Sequence, residues 1–376
     1  LRPTLRVDLD AIRHNVRSWR ERLAERPLWA VVKCDGYRMG MVPVARACLD
    51  AGAERLCVVE IREAEALRAA GVRAPIVHVA ATPAEDLESA LRHDVIVSVA
   101  DVDRAQTISA LAERLGVTAK VHIAIETGTG WWGVTPANAH AFAARVAQLP
   151  NIEWEGAWTH IAGRDSMDAQ LHKLHAGVAA LREHGAAVPV LHVGSTGPTV
   201  WNLREGAARI GVGLYGASMG DATQGTRLRT ALEVRAPVYA IRRYSEPMPL
   251  GYGGTYVALP GQTIVTLRIG YGEGMPKALS GRGCVVLSGV QCQIVGAIGM
   301  NFTMVAVPPN VTLSATDEAL IVGDVAGVKL EEVAVAAQTI PHNIMTMFGA
   351  GIPPLHVTSD GAARQATAGA RVQERG

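Results

Sequence analysis

Residues 28–40 read LWAVVKCDGYRMG, and this stretch organises the rest of the chain. Leu28 to Val32 form a short apolar run with the length and β-rich composition of a strand buried on both faces. Lys33 stands where the run ends, and Asp35-Gly36 marks a turn. An amine at the mouth of a buried strand can lose water and become a nucleophile able to form a Schiff base. Alternatively, the lysine simply leaves the core for solvent. Its neighbours along the chain decide between the two.

Strands and helices alternate outward from this point. Leu9, Ile12, Val16, Trp19 and Leu23 mark one helical face before it, and a helix closing at Gly52 follows it. Eight apolar strand candidates stand at 28–33, 56–60, 75–79, 95–99, 120–125, 153–158, 189–193 and 208–211, nearly all separated by helical patterns. Eight βα units in about the first 220 residues describe a (β/α)8 TIM-like barrel. A doubly wound sheet would need a glycine-rich fingerprint opening the first helix, and there is none. After about residue 230 the texture changes to short strands such as TIVTLRI, CVVLSG and FTMVAVP, separated by glycine and proline turns, as in a C-terminal all-β domain. The expected division is a barrel over 1–228, a β-strand domain over 229–358 and a mobile tail over 359–376.

With 49% hydrophobic and 19% charged residues, a substantial core can form. A formal charge of +1 argues against nucleic acid as a partner. The five cysteines (Cys34, Cys48, Cys57, Cys284, Cys292) have no metal-ligand spacing and suit a reducing compartment, and no metal role is visible. No apolar run could span a bilayer and no leader pattern opens the chain, so a cytoplasmic protein without a membrane partner is expected. The lack of an initiating methionine suggests a trimmed start.

Barrel chemistry sits at the C-terminal ends of the strands. That rule gathers Lys33, Glu60, His160, His192 with Ser195-Thr196, and Arg209 around one mouth. The loop GSTG (194–197) can turn N–H groups and hydroxyls toward a phosphate, and Gly211-Val212-Gly213 adds a second glycine-bearing turn beside it. An amine opposite a phosphate site points to pyridoxal phosphate. Each residue alone has a plain explanation: core histidines, a buried ion pair for Arg209, helix caps for Ser195 and Thr196. Five polar groups at the same end of five strands would serve a purely structural barrel poorly.

The motifs resemble those of the alanine racemase family, fold-type III enzymes carrying pyridoxal 5'-phosphate. AVVKCDGYRMG (30–40) resembles the lysine segment, with Lys33 in the Schiff-base position and Tyr37 as a phosphate-contacting tyrosine. ARIGVGLYG (208–216) is similar to the eighth-strand motif, which places Arg209 against the pyridine nitrogen. WTHIA (158–162) puts His160 beside the cofactor ring. LHVGSTG (191–197) puts His192 behind the arginine and Thr196 at the phosphate. RIGYGEGMPKALS (268–280) supplies Tyr271 as the catalytic tyrosine, and GAIGMNFTMV (296–305) supplies Met300 to the substrate carboxylate. The resemblance implies an amino-acid substrate racemised by two opposed bases, Lys33 and Tyr271, in a head-to-tail homodimer whose active sites are shared. An aldolase- or hydroxymethyltransferase-type relative and an idle cofactor-binding protein are the competing readings.

Four positions depart from the family pattern. Ala124 and Trp131 stand where a lysine and an arginine hold the substrate carboxylate. Ala350 is aligned with a tyrosine that narrows the entrance, and Asn301 replaces an aspartate. An indole cannot replace a bidentate guanidinium. The expected substrate is therefore bulkier than alanine, with Arg38, Arg164 and Lys277 as candidate replacement cations; an ordinary alanine racemase with a drifted carboxylate site is the alternative.

Overall fold

A computed structural model describes residues 2–217, 226–309, 311–358 and 364–365. Strand β1 (Thr4–Asp8) leads into helix α1 (Leu9–Leu23). Asp8 caps that helix by accepting from the Asp10 and Ala11 N–H groups at 2.8 and 2.9 Å. The barrel strands follow: β2 (Leu28–Val31), β3 (Arg55–Val58), β4 (Ile76–Ala81), β5 (Val95–Val99), β6 (Ala119–Ala124), β7 (Ile152–Trp158), β8 (Val190–Ser195) and β9 (Ala207–Ile210). They are parallel and closed, with β9 returning to pair with β2. The eight predicted strands thus occur within a few residues of their expected bounds. Between them run α2 (Lys33–Tyr37), α3 (Met41–Asp50), α4 (Ile61–Ala69), α5 (Leu87–Arg92), α6 (Val102–Leu115), α7 (Ala139–Val146), α8 (Met167–Glu183) and α9 (Thr196–Val200).

The C-terminal part is built on a mostly antiparallel sheet. Its strands are β10 (Leu232–Arg243), β13 (Thr263–Leu267), β14 (Cys284–Leu287), β15 (Val290–Val295), β16 (Thr303–Val307), β17 (Glu318–Val322) and β18 (Pro354–Val357), flanked by a small ribbon of β11 (Met248–Leu250) and β12 (Tyr256–Ala258). Because β10 pairs with both β17 and β13, six of these strands curl into a ring without free edges. Two details refine the expectation. Strand β1 lies within 1–228 yet pairs with β10 and β18, so the chain's first strand completes the second sheet. The C-terminal part also carries two helices, α10 (Leu330–Ala336) and α11 (Pro341–Gly351). Most of the expected tail, 359–376, lies outside the described residues. Among the described residues no helix is long and apolar enough to cross a membrane.

Candidate active site

Lys33 is half-buried at the C-terminal end of β2, where α2 begins. This short helix has a left-handed turn: Cys34, Asp35, Gly36, Tyr37 and Arg38 have φ of 54°, 52°, 61°, 59° and 66°. Only glycine adopts that conformation freely, and each of the four others costs about 1–2 kcal/mol. Tertiary contacts hold the turn. The Tyr215 hydroxyl donates to the Gly36 carbonyl at 2.5 Å, and the Asp35 carboxylate accepts from the Met41 N–H at 2.8 Å. Glu63 accepts from the Asp35 N–H at 3.3 Å. The turn swings the Tyr37 ring back under the end of β9. There the Tyr37 hydroxyl lies so close to Gly211 that a Cβ on residue 211 would collide with it.

The two loops after β8 and β9 meet in the same place. Thr196 accepts from the Gly211 and Gly213 N–H groups at 3.2 and 3.4 Å, and Ser195 makes no capping bond to α9. Neither residue behaves as an ordinary helix cap. Helix α1 buttresses the second loop from outside. Trp19 Nε1 donates to the Gly213 carbonyl at 3.0 Å, and the wholly buried Asn15 Nδ2 donates to the Leu214 carbonyl at 2.9 Å. Val212 is wholly buried in that loop.

Arg209 is 4% exposed. Its Nη1 donates to His192 Nδ1 at 2.9 Å and to the His192 carbonyl at 2.5 Å, and its Nη2 donates to the Thr159 carbonyl at 2.9 Å. A guanidinium cannot accept, so His192 Nδ1 must accept and Nε2 carries the hydrogen. That hydrogen faces His122 Nδ1 at 2.9 Å, and His122 Nε2 in turn donates to Glu155 at 2.7 Å. Arg55 closes the chain on Glu155 with two bonds of 2.7 and 3.1 Å. Burial and the positive charge of Arg209 push the His192 pKa well below its ordinary value, so it is neutral. Burial likewise lowers the His122 pKa, against the pull of Glu155. Burial favours the neutral form of Glu155, but its bonds to His122 and Arg55 outweigh that and bring its pKa to about 2. The Arg209 pKa falls to about 10 through burial. It nevertheless stays charged at neutral pH.

His160 faces the mouth with its pKa lowered to about 4 by burial, Arg209 and Lys33. Trp131 stacks on it with ring centroids 5.4 Å apart and planes at 21°. Ala124, where a lysine was expected, is 3% exposed at the end of β6. Trp131, 72% exposed, lines a small pocket there with Trp132 and Trp158.

Tyr271, Met300 and Asn301 come together on the C-terminal part. The Tyr271 and Gly272 N–H groups donate to the Gly299 and Met300 carbonyls at 3.1 and 2.8 Å. Asn301 Nδ2 donates to Glu273 at 2.8 Å, a contact an aspartate would turn into repulsion. Lys277 lies 5.9 Å from the centre of the Tyr271 ring. Among the described residues, no hydrogen bond or ring contact joins Tyr271 to Lys33. Glu60 is exposed at the start of α4, away from these contacts, and Arg38 packs its Cβ against Gly349.

His342, on the first turn of α11, is a residue that the sequence reading missed. Its ring lies 5.7 Å from Tyr37, burial and Lys33 lower its pKa, and its buried Nδ1 has no hydrogen-bond partner. Ala350 is exposed near the other end of α11. Helical spacing offered no sign that His342 faces inward.

An amine opposite hydroxyl and amide donors on two adjoining loops, with a buried arginine between, defines a barrel enzyme built for a phosphorylated carbonyl cofactor. Lys33, the Ser195 and Thr196 hydroxyls, the Gly211 and Val212 amides and the orphan His342 Nδ1 fit pyridoxal phosphate. Comparison with known proteins agrees. Residues 7–219 match "Alanine racemase, N-terminal domain" and residues 231–356 match "Alanine racemase, C-terminal domain". The chain is 32% identical to the alanine racemase of Clostridium perfringens over 93% of this chain and 94% of that one. It is 33% identical to alanine racemase 1 of Oceanobacillus iheyensis, over 93% and 97%. The crystal structure of alanine racemase from D-cycloserine producing Streptomyces lavendulae superposes with a TM-score of 0.90 at 30% identity, covering 95% of this chain and 97% of that one. The chain belongs to the alanine racemase family, isomerases whose cofactor is pyridoxal 5'-phosphate.

Proposed function

We propose that the protein racemises an amino acid bulkier than alanine, with Lys33 of one subunit and Tyr271 of the partner subunit as the two bases. One observation carries the reading. Tyr271 is 42% exposed and, among the described residues, joined to Lys33 by no hydrogen bond or ring contact, and the C-terminal part also exposes Tyr239, Tyr252, Met300 and Phe302. Five large apolar or aromatic side chains left exposed there favour cover by another chain, and a second copy would supply Tyr271 to a neighbouring lysine.

Pyridoxal phosphate supplies the electron withdrawal that acidifies the substrate Cα–H. The protein residues do the rest. Lys33 Nζ removes or returns the proton on one face, and the Tyr271 hydroxyl of the partner subunit does so on the other, which inverts the centre. Arg209, charged and bonded to a neutral His192, sits where it would oppose protonation of the ring nitrogen. That restrains delocalisation and the side reactions it permits. Ser195, Thr196, Gly211 and Val212 would bind the phosphate, Tyr37 would close over it, and His160 would flank the ring. Trp131 and Trp132 present apolar surface where the resemblance calls for a cation, which supports a bulky side chain. Met300 and Asn301 would approach the substrate from the partner. The five unpaired cysteines support a cytoplasmic location.

The test is turnover of a panel of L- and D-amino acids in deuterium oxide. Deuterium at Cα with the side chain intact, fastest for bulky substrates, is expected. Preferred turnover of alanine would remove the claim about size, and loss of the side chain would replace racemase by lyase.

A further inference from the structure

Outside the barrel mouth lies a cavity of about 520 Å³ whose wall carries Arg22, Arg26, Arg164, Arg204 and Thr199. Apart from Arg164, none of the candidate site residues lines it. Arg26 forms a fixed floor. Its Nε and Nη2 donate to the Gly206 and Glu205 carbonyls at 2.9 Å each, and its Nη1 donates to the Leu203 carbonyl. Arg22 is held by the Val200 carbonyl and the Thr226 hydroxyl. Arg164 and Arg204 are exposed at the rim. Glu205, the acid that acts on Arg26, gives its carboxylate to His175 at 2.6 Å. Burial and the like charge of Arg204 lower the Arg26 pKa, against the opposite pull of Glu205. Among the described residues, no carboxylate lies within ion-pair distance of Arg26, Arg164 or Arg204. Thr199, 3% exposed, adds a buried hydroxyl with no partner to the wall.

From this convergence of guanidinium groups we infer that the cavity binds the phosphoryl group of a small metabolite, apart from the cofactor. Planar guanidinium forks match phosphate oxygens two at a time, and the volume falls within the range of small-ligand sites. The site is joined to the cofactor cradle. Helix α9 starts at Thr196, in the cradle, and passes Thr199 and Val200, in the cavity wall, one turn later. An anion in the cavity therefore steadies the helix that presents Ser195 and Thr196.

The test is calorimetric titration of the pyridoxal-phosphate-loaded protein, whose cradle is already filled, with inorganic pyrophosphate and with ADP. Saturable binding is expected, weakening with salt. It should be at least tenfold weaker, a loss of about 1.4 kcal/mol, in the R164E/R204E variant. Both substituted side chains are exposed, and the cofactor absorbance band reports that the fold and cradle survive. ADP binding more tightly than pyrophosphate would assign the site to a nucleotide, and the reverse order to a free phosphate. Absence of pyrophosphate binding, or equal affinity in the double variant, would overturn the inference.

Discussion

Replacing Gly211 by alanine probes how the cofactor loop and the lysine loop fit together. The added methyl would run into the Tyr37 hydroxyl, whereas the next Tyr37 atom, Cζ, would stand at 3.2 Å, a contact that small shifts relieve. Overpacking of this kind costs about 1–3 kcal/mol. Gly211 also has φ −115° and ψ −94°, so alanine carries a further backbone cost whichever residue stands at 37. A double-mutant cycle separates the two. Tyr37→Phe removes the hydroxyl, which has no hydrogen bond among the described residues, and should be nearly neutral alone. In the Y37F background the steric part of the G211A cost should vanish, leaving a coupling of about 1–2 kcal/mol between the two sites. Urea unfolding of the four proteins without cofactor gives the energies. Strict additivity would refute the contact, and with it the claim that the left-handed turn delivers Tyr37 to the loop after β9.

Three other outcomes are expected. Mixing K33A with Y271F, each inactive alone, should restore up to about a quarter of wild-type activity after subunit exchange, since half the dimers are mixed and each has one intact shared site; no recovery would remove the shared site. Glu155→Leu should lower unfolding free energy by about 3–5 kcal/mol, because it leaves Arg55 and His122 without their acceptor, with Glu155→Gln costing less. Stability should fall as pH drops below about 6.5. His122, His160 and His192 have depressed pKa values in the folded state, so the unfolded chain binds more protons there, at about 1.4 kcal/mol per pH unit for each histidine. The His160 share ends near pH 4, and a flat pH profile from 7 to 5 would contradict the neutral relay.

The barrel strands were legible because each is an apolar run bounded by a helix pattern, and position at a strand end was enough to gather Lys33, His160, His192 and Arg209. The relay behind Arg209 was not, since His122 and Glu155 lie in different strands and meet only when the barrel closes. A signal was present: KVHIAIE and IEWEG each place polar groups inside strands that otherwise read as buried. The left-handed turn was hidden for a different reason. Only Gly36 favours it locally, and contacts from Tyr215 and Glu63, distant in sequence, impose it on four neighbours. Helices α10 and α11 were absorbed into the all-β expectation, which is why His342 went unnoticed.

The pairing of β1 bears on how the chain is made. Its first strand leaves the ribosome with no partner in the barrel that forms behind it. Its antiparallel neighbour β10 is more than two hundred residues away, and its parallel neighbour β18 lies close to the end of the described chain. At about 5–20 residues per second, Leu5 and Val7 therefore wait roughly ten to forty seconds for the first of these strands. During that interval a short apolar edge is available for wrong pairing, and Arg6 between the two apolar residues is the charge that discourages it. Strand β18, made late in synthesis, then locks the first in place, so an incomplete chain lacks part of its second sheet however well its barrel has formed.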